Sequence, residues 1–356
     1  MQARRVRFTG PGGVDFESIE VEMPIENEVL IETLYSCISP GTERSHYLAE
    51  ENTVTRDRPG PFYPGYSNIG RVLQVGPGVD NLRVGQFVAT ALPHLSHAIF
   101  PARPGGPQRK LASAVPPGAS FSPSKAIFPL ADGLDSQRLK ECSTYCFSRV
   151  ALHGVRRARI ELGEAVLILG LGPIGLQCVQ YAHMNGGHPV IAVDPTASRR
   201  LVALAIGADY AFASAADFEK SGLFKAGSGP AVVIEATGLP EVIPQAFQLC
   251  GRNGRVILLG STRGATHEVN FYTDVHKKGI TVIGVHAGTR PTHESRPGHW
   301  TAEDEVTIIL KLISNGRIRC GPLITHEFPA GKMADAYELV RNSPGALAVV
   351  LDWTAK

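Results

Sequence analysis

No stretch of the 356-residue sequence holds 18 consecutive apolar residues, so a membrane-spanning helix is not expected. An excess of one charge is missing too. Lys and Arg number 35 against 33 Asp and Glu, a formal net charge of +2, and the basic residues are scattered. Nucleic acid and membrane surfaces are therefore not expected as partners, because both ask for a concentrated basic footprint. Cysteine is scarce and dispersed, at Cys37, Cys142, Cys146, Cys178, Cys250 and Cys320, which speaks for reduced thiols rather than a disulfide framework. The opening residues, MQARRVRFTGPGGVDF, lack the apolar core of a signal peptide, and a cytoplasmic location is expected. What is present is an ordinary globular balance, 43% hydrophobic and 19% charged, in a length that suits about two domains.

The texture changes along the chain. Up to about residue 150, short β-type runs such as VLIETLY (29–35) and GRVLQVG (70–76) are broken by many Gly and Pro, as in a small, mostly β domain. Residues 101–125, rich in Pro, Gly, Ala and Ser, read as an exposed loop or a cover. From about 160, apolar runs recur: AVLILG (165–170), PVIAVD (189–194), AVVIEA (231–236), RVILLG (255–260) and ITVIGV (280–285). Runs without alternation suit strands buried on both faces of a parallel sheet. The segments between them read as helices, for example 198–209 with Leu201, Leu204 and Ala205 on one stripe. Strand and helix in turn give a doubly wound α/β fold. Helices near 302–314 and 331–342 and an apolar run at 346–353 follow.

Gly170-Leu171-Gly172-Pro173-Ile174-Gly175 lies between the first run and a helical segment, and the second run ends in Asp194, nineteen residues past Gly175. This is the spacing of a dinucleotide-binding unit. Gly170 permits the tight turn, Gly172 lets the backbone approach a pyrophosphate, and Gly175 lets helix and strand pack closely. Pro173 and Ile174 open the helix whose N-terminus offers N–H groups to the phosphates. Asp194 accepts the ribose hydroxyls and repels a 2′-phosphate, so NAD(H) is expected over NADP(H). Arg199 is placed against the adenosine edge and Arg200 as a solvated charge, although a guanidinium here also suits a phosphate. Thr237 and Gly260, at the ends of later runs, and His286, just after the last, are expected beside the cofactor.

The segments PGYSNIGRVLQVGPGVDNLRVGQFVA (64–89), ALHGVRRARIELGEAVLILGLGPIG (151–175), AIGAD (205–209) and KKGITVIG (277–284) make the chain resemble the medium-chain dehydrogenase/reductase superfamily over nearly its whole length. That resemblance implies a GroES-like, mostly β catalytic domain at 1–150, a Rossmann NAD-binding domain at 151–290 and a return to the catalytic domain at 291–356. It also implies a homodimer formed through ITVIGV. YSCISPGTERSHY (35–47) is similar to a zinc-less, bacteriochlorophyllide dehydrogenase-like branch. Where zinc-dependent members present a cysteine, then Gly-His-Glu, then a third ligand, this chain has Ser39, then Gly65-Tyr66-Ser67, then Cys146. No cysteine between 38 and 141 remains for a structural zinc lobe, and no zinc is expected. One metal reading stays open: Cys142 and Cys146 on one helical face with Cys37 or His94, against plain apolar packing of the same thiols.

Without a metal, the proton of a substrate hydroxyl still needs a path. The resemblance implies that Thr42 touches the substrate alcohol and that His46 hands the proton to solvent, at a spacing one residue longer than usual. Tyr66 stands at the zinc histidine's position, where its phenol can donate to a carbonyl oxygen. Glu43 accepts a proton or holds Arg44. The expected activity is a zinc-independent NAD(H)-dependent dehydrogenase or ketoreductase, acting on a secondary alcohol or ketone of a small polar intermediate such as a sugar or cyclitol. Two readings stand beside it: an NADPH-dependent reductase of activated C=C bonds, and a non-catalytic NAD(H)-binding redox sensor.

Overall fold

The computed structural model describes residues 1–51, 53–57, 60–103, 127–225, 228–343 and 345–355. Most of the expected cover at 101–125 lies outside them. Two compact units are formed, one from 1–146 with 306–356 and the other from 147–305, so the division falls inside the helix Ala302–Ser314.

The second unit is built on a six-stranded, all-parallel sheet in the order Tyr210–Phe212, Val190–Val193, Val166–Leu169, Val232–Glu235, Arg255–Leu258, Thr281–Gly284. Strand order reverses beside Val166–Leu169, the doubly wound arrangement that opens a crevice at the carboxyl ends of the central strands. All four residues of each of three of the four inner strands, Val190–Val193, Val166–Leu169 and Val232–Glu235, are buried, which explains why their sequences do not alternate. Leu167, Ile191, Val233 and Val256 join Phe218 and Phe247 in one core cluster. The strand Tyr210–Phe212 escapes the sequence reading because it is three residues long and partly exposed. The expected helical stripe at 198–209 is corrected: the helix spans Ala197–Ala205, Leu201 and Leu204 are exposed, and Ala203 is its buried residue.

The first unit holds a sheet in the order Ile324–Pro329, Ala348–Asp352, Glu28–Ile38, Asn68–Val75, Phe87–Thr90, Phe128–Pro129. His97–Pro101 pairs with the first half of Glu28–Ile38. A separate hairpin joins Gln2–Gly10 to Gly13–Glu20. Glu28–Ile38 is the organising strand, because three neighbours pair along it and it is buried on both faces. At its end the chain turns into the short helix Thr42–Tyr47. Glu43 and Tyr47, one turn apart, both point inward, and Tyr47 packs with Phe8 and Tyr337, each at a ring separation of 5.3 Å, while Phe8 and Tyr337 lie 5.0 Å apart. This aromatic knot fixes the helix that carries Thr42, Glu43 and His46.

Candidate active site

In the second unit, the strand Val166–Leu169 runs into Gly170, whose φ of +90° lies in the left-handed region, and a Cβ there would stand 2.6 Å from Thr237 Cγ2. Gly172 caps the helix Pro173–Met184 without any side-chain hydrogen bond, Pro173 sits in its first turn, and a Cβ on Gly172 would meet nothing within 4 Å. A Cβ on Gly175 would stand 1.8 Å from the Gly170 carbonyl oxygen. The turn thus pairs an uncapped helix N-terminus with open space, and this suits an anionic pyrophosphate. Asp194, 4% exposed, accepts the Leu171 N–H on Oδ2 and the Thr196 N–H on Oδ1, both at 2.8 Å. Each oxygen keeps a lone pair for a ribose hydroxyl. Arg199 Nη1 lies 3.5 Å from Asp194 Oδ2. Arg200 is not the solvated charge expected, for its guanidinium donates to the carbonyls of Asp194 and Pro195 at 2.7 and 2.8 Å.

Glu235 went unnoticed in the sequence because it hides inside the apolar run AVVIEA. It is wholly buried, and Oε1 accepts the Thr237 hydroxyl, the Thr237 N–H at 2.6 Å and the Gly238 N–H at 3.2 Å. Burial lifts its carboxyl above the ordinary carboxylate range, while these hydrogen bonds hold it down. Gly260 is needed where two loops meet, since a Cβ would stand 2.3 Å from the Gly238 nitrogen and 2.9 Å from Glu235 Oε2. His286 is exposed, and its Nδ1 accepts the Gly288 N–H at 3.1 Å.

In the first unit, Glu43 is the hub. Its side chain is 0% exposed, Oε1 accepts the Ser39 N–H at 2.9 Å, and Oε2 lies 2.9 Å from His94 Nε2 and 2.7 Å from the Tyr337 hydroxyl. His94 Nδ1 is 2.8 Å from Ser36 Oγ, which also accepts the indole N–H of Trp353 at 2.9 Å. A carboxylate only accepts and an indole only donates, so the balanced assignment is Trp353 to Ser36, Ser36 to His94, and His94 to Glu43. The pairing of Glu43 with Arg44 is corrected: Arg44 reaches Glu50 at 2.5 Å. Consecutive helical residues point about 100° apart and do not face each other.

Tyr66 is partly accessible, and its phenol is hydrogen-bonded by the side chains of Ser39 and Thr42. Burial, and then the nearby Glu43 charge, push its pKa far above the ordinary value of 10.0. Thr42 and His46 lie one turn apart on the same helix, and the His46 ring is buried and stacks on Phe62 at 4.6 Å. Tyr337 was missed as a site residue, and His94 was weighed only as a metal ligand, because their links to Glu43 span 294 and 51 positions. Tyr337→Phe removes one donor from a fully buried carboxylate and is expected to cost about 1–3 kcal/mol. Tyr337 is held well above 10.0 by burial and by Glu43, so the folded chain keeps a proton that the unfolded chain releases as pH passes 10.0. The wild type should therefore lose stability more steeply than the variant above that pH. Denaturant unfolding at pH 7 and pH 10.5 measures both effects; identical midpoints at pH 7 would deny the hydrogen bond any role in stability.

The residues at the zinc position do not fit zinc. Ser39 and Tyr66 offer hydroxyls, and the Cys146 thiol donates to the Tyr66 carbonyl at 2.9 Å. Zinc takes thiolate, imidazole or carboxylate donors. Among the described residues no three His, Cys, Asp or Glu side chains gather to hold a metal ion. The alternative with Cys142 is corrected as well. Cys142 ends the helix Ser136–Cys142 while Cys146 lies on the next, Tyr145–Ala158. Burial pushes the Cys142 thiol up to about 11, and His94 is already engaged by Glu43 and Ser36.

Residues 173–300 match a family model described as zinc-binding dehydrogenase. The L-threonine 3-dehydrogenase of Pyrococcus furiosus is 28% identical over 352 residues, covering 92% of each chain. The L-galactonate-5-dehydrogenase of Escherichia coli K12 is 29% identical, covering 90% of this chain and 89% of that one. Among solved structures, an alcohol dehydrogenase from Thermotoga maritima superposes with a TM-score of 0.77 over 99% of both chains, at 18% identity. None of these names marks a zinc-less branch. The fold is that of the medium-chain dehydrogenases, the sequence similarity is to the zinc-containing alcohol dehydrogenase family within them, and the chain is an NAD(P)-dependent oxidoreductase acting on CH–OH groups.

Proposed function

We propose that the protein uses NAD(H) to interconvert a secondary alcohol and a ketone on a small polyol or hydroxy acid, and that it does so without a catalytic zinc. The observation that carries this reading is the hydroxyl cluster of Tyr66, Ser39 and Thr42, in which Ser39 and Tyr66 stand where the resemblance implies metal ligands. The turn from Gly170 to Gly175 holds the pyrophosphate, and Asp194 holds the adenosine ribose, with Arg199 against the adenosine edge. Thr237, Gly260 and His286 complete that side. When bound, the nicotinamide supplies or accepts hydride.

Chemistry on the oxygen falls to the chain itself. Tyr66 stays protonated throughout the physiological range, so it polarises a substrate oxygen by donating and cannot act as a base there. Thr42 bridges Tyr66 and the helix, and His46, one turn on, is the group that exchanges the proton. Glu43 has three donors on its two oxygens and holds the Ser39–Thr42 turn rather than the substrate. The substrate class follows from the relatives' names, an amino alcohol acid and a sugar acid, each oxidised at a hydroxyl-bearing carbon.

The test is titration of purified, metal-analysed protein with NADH and NADPH by calorimetry. NADH is expected to bind tighter by about tenfold or more, because Asp194 repels a 2′-phosphate. Zinc is expected far below one per chain. Stoichiometric zinc would overturn the hydroxyl reading, and equal or tighter NADPH binding would overturn the assignment of Asp194.

A further inference from the structure

We propose that four arginines gathered at the end of the helix Tyr145–Ala158 form a binding site for a phosphate group carried by a small molecule. The site is built from two pieces of the second unit. The segment 290–300 runs along this helix and is anchored at its start. Arg290 reaches Glu305 at 2.6 Å and the Arg149 carbonyl at 2.9 Å, with both charged side chains at most 5% exposed. Further along, Arg296 and His299 exchange N–H···O bonds of 2.8 Å in both directions, closing a tight turn with Pro297 and Gly298 at its tip, Gly298 at φ +75°. This turn lies against the last helical residues. Arg157 Nη1 is 2.9 Å from the His299 ring, Arg156 lies 3.4 Å over the Trp300 ring, and Arg159 nitrogens come within 3.9 Å of where a Gly298 Cβ would stand.

Arg156, Arg157, Arg159 and Arg296 thus converge on one turn, yet no carboxylate oxygen among the described residues lies within 4 Å of any of them. Elsewhere arginines find acids: Arg5 with Glu17, Arg7 with Asp15, Arg71 with Glu32, Arg83 with Asp132, Arg255 with Glu164. On the neighbouring helix Glu305 is engaged by Arg290, and Asp304 by the hydroxyls of Ser295 and Thr301. A chain with a net charge of only +2 does not gather four unpaired cations by background alone. The helix dipole favours cations in the last turn and so accounts for Arg156 and Arg157, but Arg159 and Arg296 lie beyond the helix. The field is felt by His299, whose imidazole is held below its ordinary value by burial and then by Arg157, Arg296 and Arg159.

Guanidinium forks match the oxygens of a phosphate, and a dianion with three acceptor oxygens relieves the mutual repulsion of several of them at once. The cluster is separate from the dinucleotide turn. That turn follows the carboxyl end of Val166–Leu169, whereas Ala158 precedes the start of the same strand, and Arg255, first residue of its own strand, donates to the Ala158 carbonyl at 2.7 Å. The two anion positions therefore lie at opposite ends of one parallel sheet.

The test uses the full chain with NADH in excess, so that the dinucleotide turn is filled, titrated with inorganic phosphate against chloride at constant ionic strength. Binding is read by calorimetry and by the pH titration of the His299 ring protons in NMR. One phosphate per chain is expected, with the His299 pKa rising as the ion neutralises its neighbours. Arg296→Gln, an exposed turn position that leaves the fold intact, and the double variant R157Q/R296Q should weaken phosphate by about tenfold or more. No response beyond that to chloride, or undiminished affinity in the double variant, would overturn the proposal. So would variants that change the size of the particle without changing phosphate affinity, since the cluster would then be an interface. If NADH itself fails to bind, the nucleotide reading falls, and the comparison of wild type with the double variant still decides the phosphate site.

Discussion

Gly175→Ala is expected to weaken NADH binding by about 100-fold or more, the combined effect of overpacking and a disrupted turn. The added methyl would stand 1.8 Å from the Gly170 carbonyl oxygen, and that atom is backbone, not the far end of a flexible side chain. Relief requires the helix Pro173–Met184 to move away from the strand Val166–Leu169. The movement carries Leu171 with it and pulls its N–H from Asp194 Oδ2, now at 2.8 Å. The phosphate cradle and the ribose acceptor are thus lost together. Gly172→Ala is the natural comparison, because its methyl projects into open space and meets nothing within 4 Å. That variant should melt like the wild type and still bind NADH more weakly, by crowding the position of the pyrophosphate itself. Calorimetry with thermal melts separates the two. Wild-type NADH affinity in Gly175→Ala would show that the turn does not carry the cofactor.

The cofactor half was legible in sequence for a physical reason. A parallel strand buried on both faces must be written as an unbroken apolar run, and the turn that follows has no substitute for glycine where backbone meets backbone. Strand register adds nothing to that signal, so linear spacing suffices. The hydroxyl half reads differently. Thr42 and His46 are one helical turn apart and could be paired from sequence, whereas Glu43 meets His94 and Tyr337 only once the distant parts of the chain have folded together. His94 sits in ALPHLSHAIF, an apolar context in which a histidine is itself a hint of a buried partner, but nothing in the spacing says that the partner is Glu43. Arg44 illustrates the opposite error, where adjacency in sequence suggested a pair that helical geometry forbids. Glu235 was invisible because it stands inside an apolar run, and the backbone that its Oε1 engages belongs to the very turn that follows it.

Tyr66→Phe is expected to lower turnover by about 100- to 1,000-fold, the loss that follows removal of one preorganised donor to a developing oxyanion. NADH affinity should stay within about twofold, since the phenol and the dinucleotide turn belong to different units of the chain. Turnover is measured on the best substrate from a panel of polyols and hydroxy acids. The argument turns on which protonation state the site enforces. Burial disfavours the phenolate, and the adjacent Glu43 carboxylate disfavours it further, so the hydroxyl hydrogen remains in place well above pH 10.0. Ser39 and Thr42 hold the phenolic oxygen, and Glu43, through the Ser39 N–H, holds the turn that carries them both. A metal ion polarises an oxygen by charge and is lost to chelators; a phenol polarises it by hydrogen bonding and is indifferent to them. Activity that survives chelation in the wild type but falls in Tyr66→Phe would therefore identify the donor. A variant as active as the wild type would remove Tyr66 from the chemistry, leaving Thr42 as the only residue of the cluster with a hydroxyl accessible enough to meet the substrate.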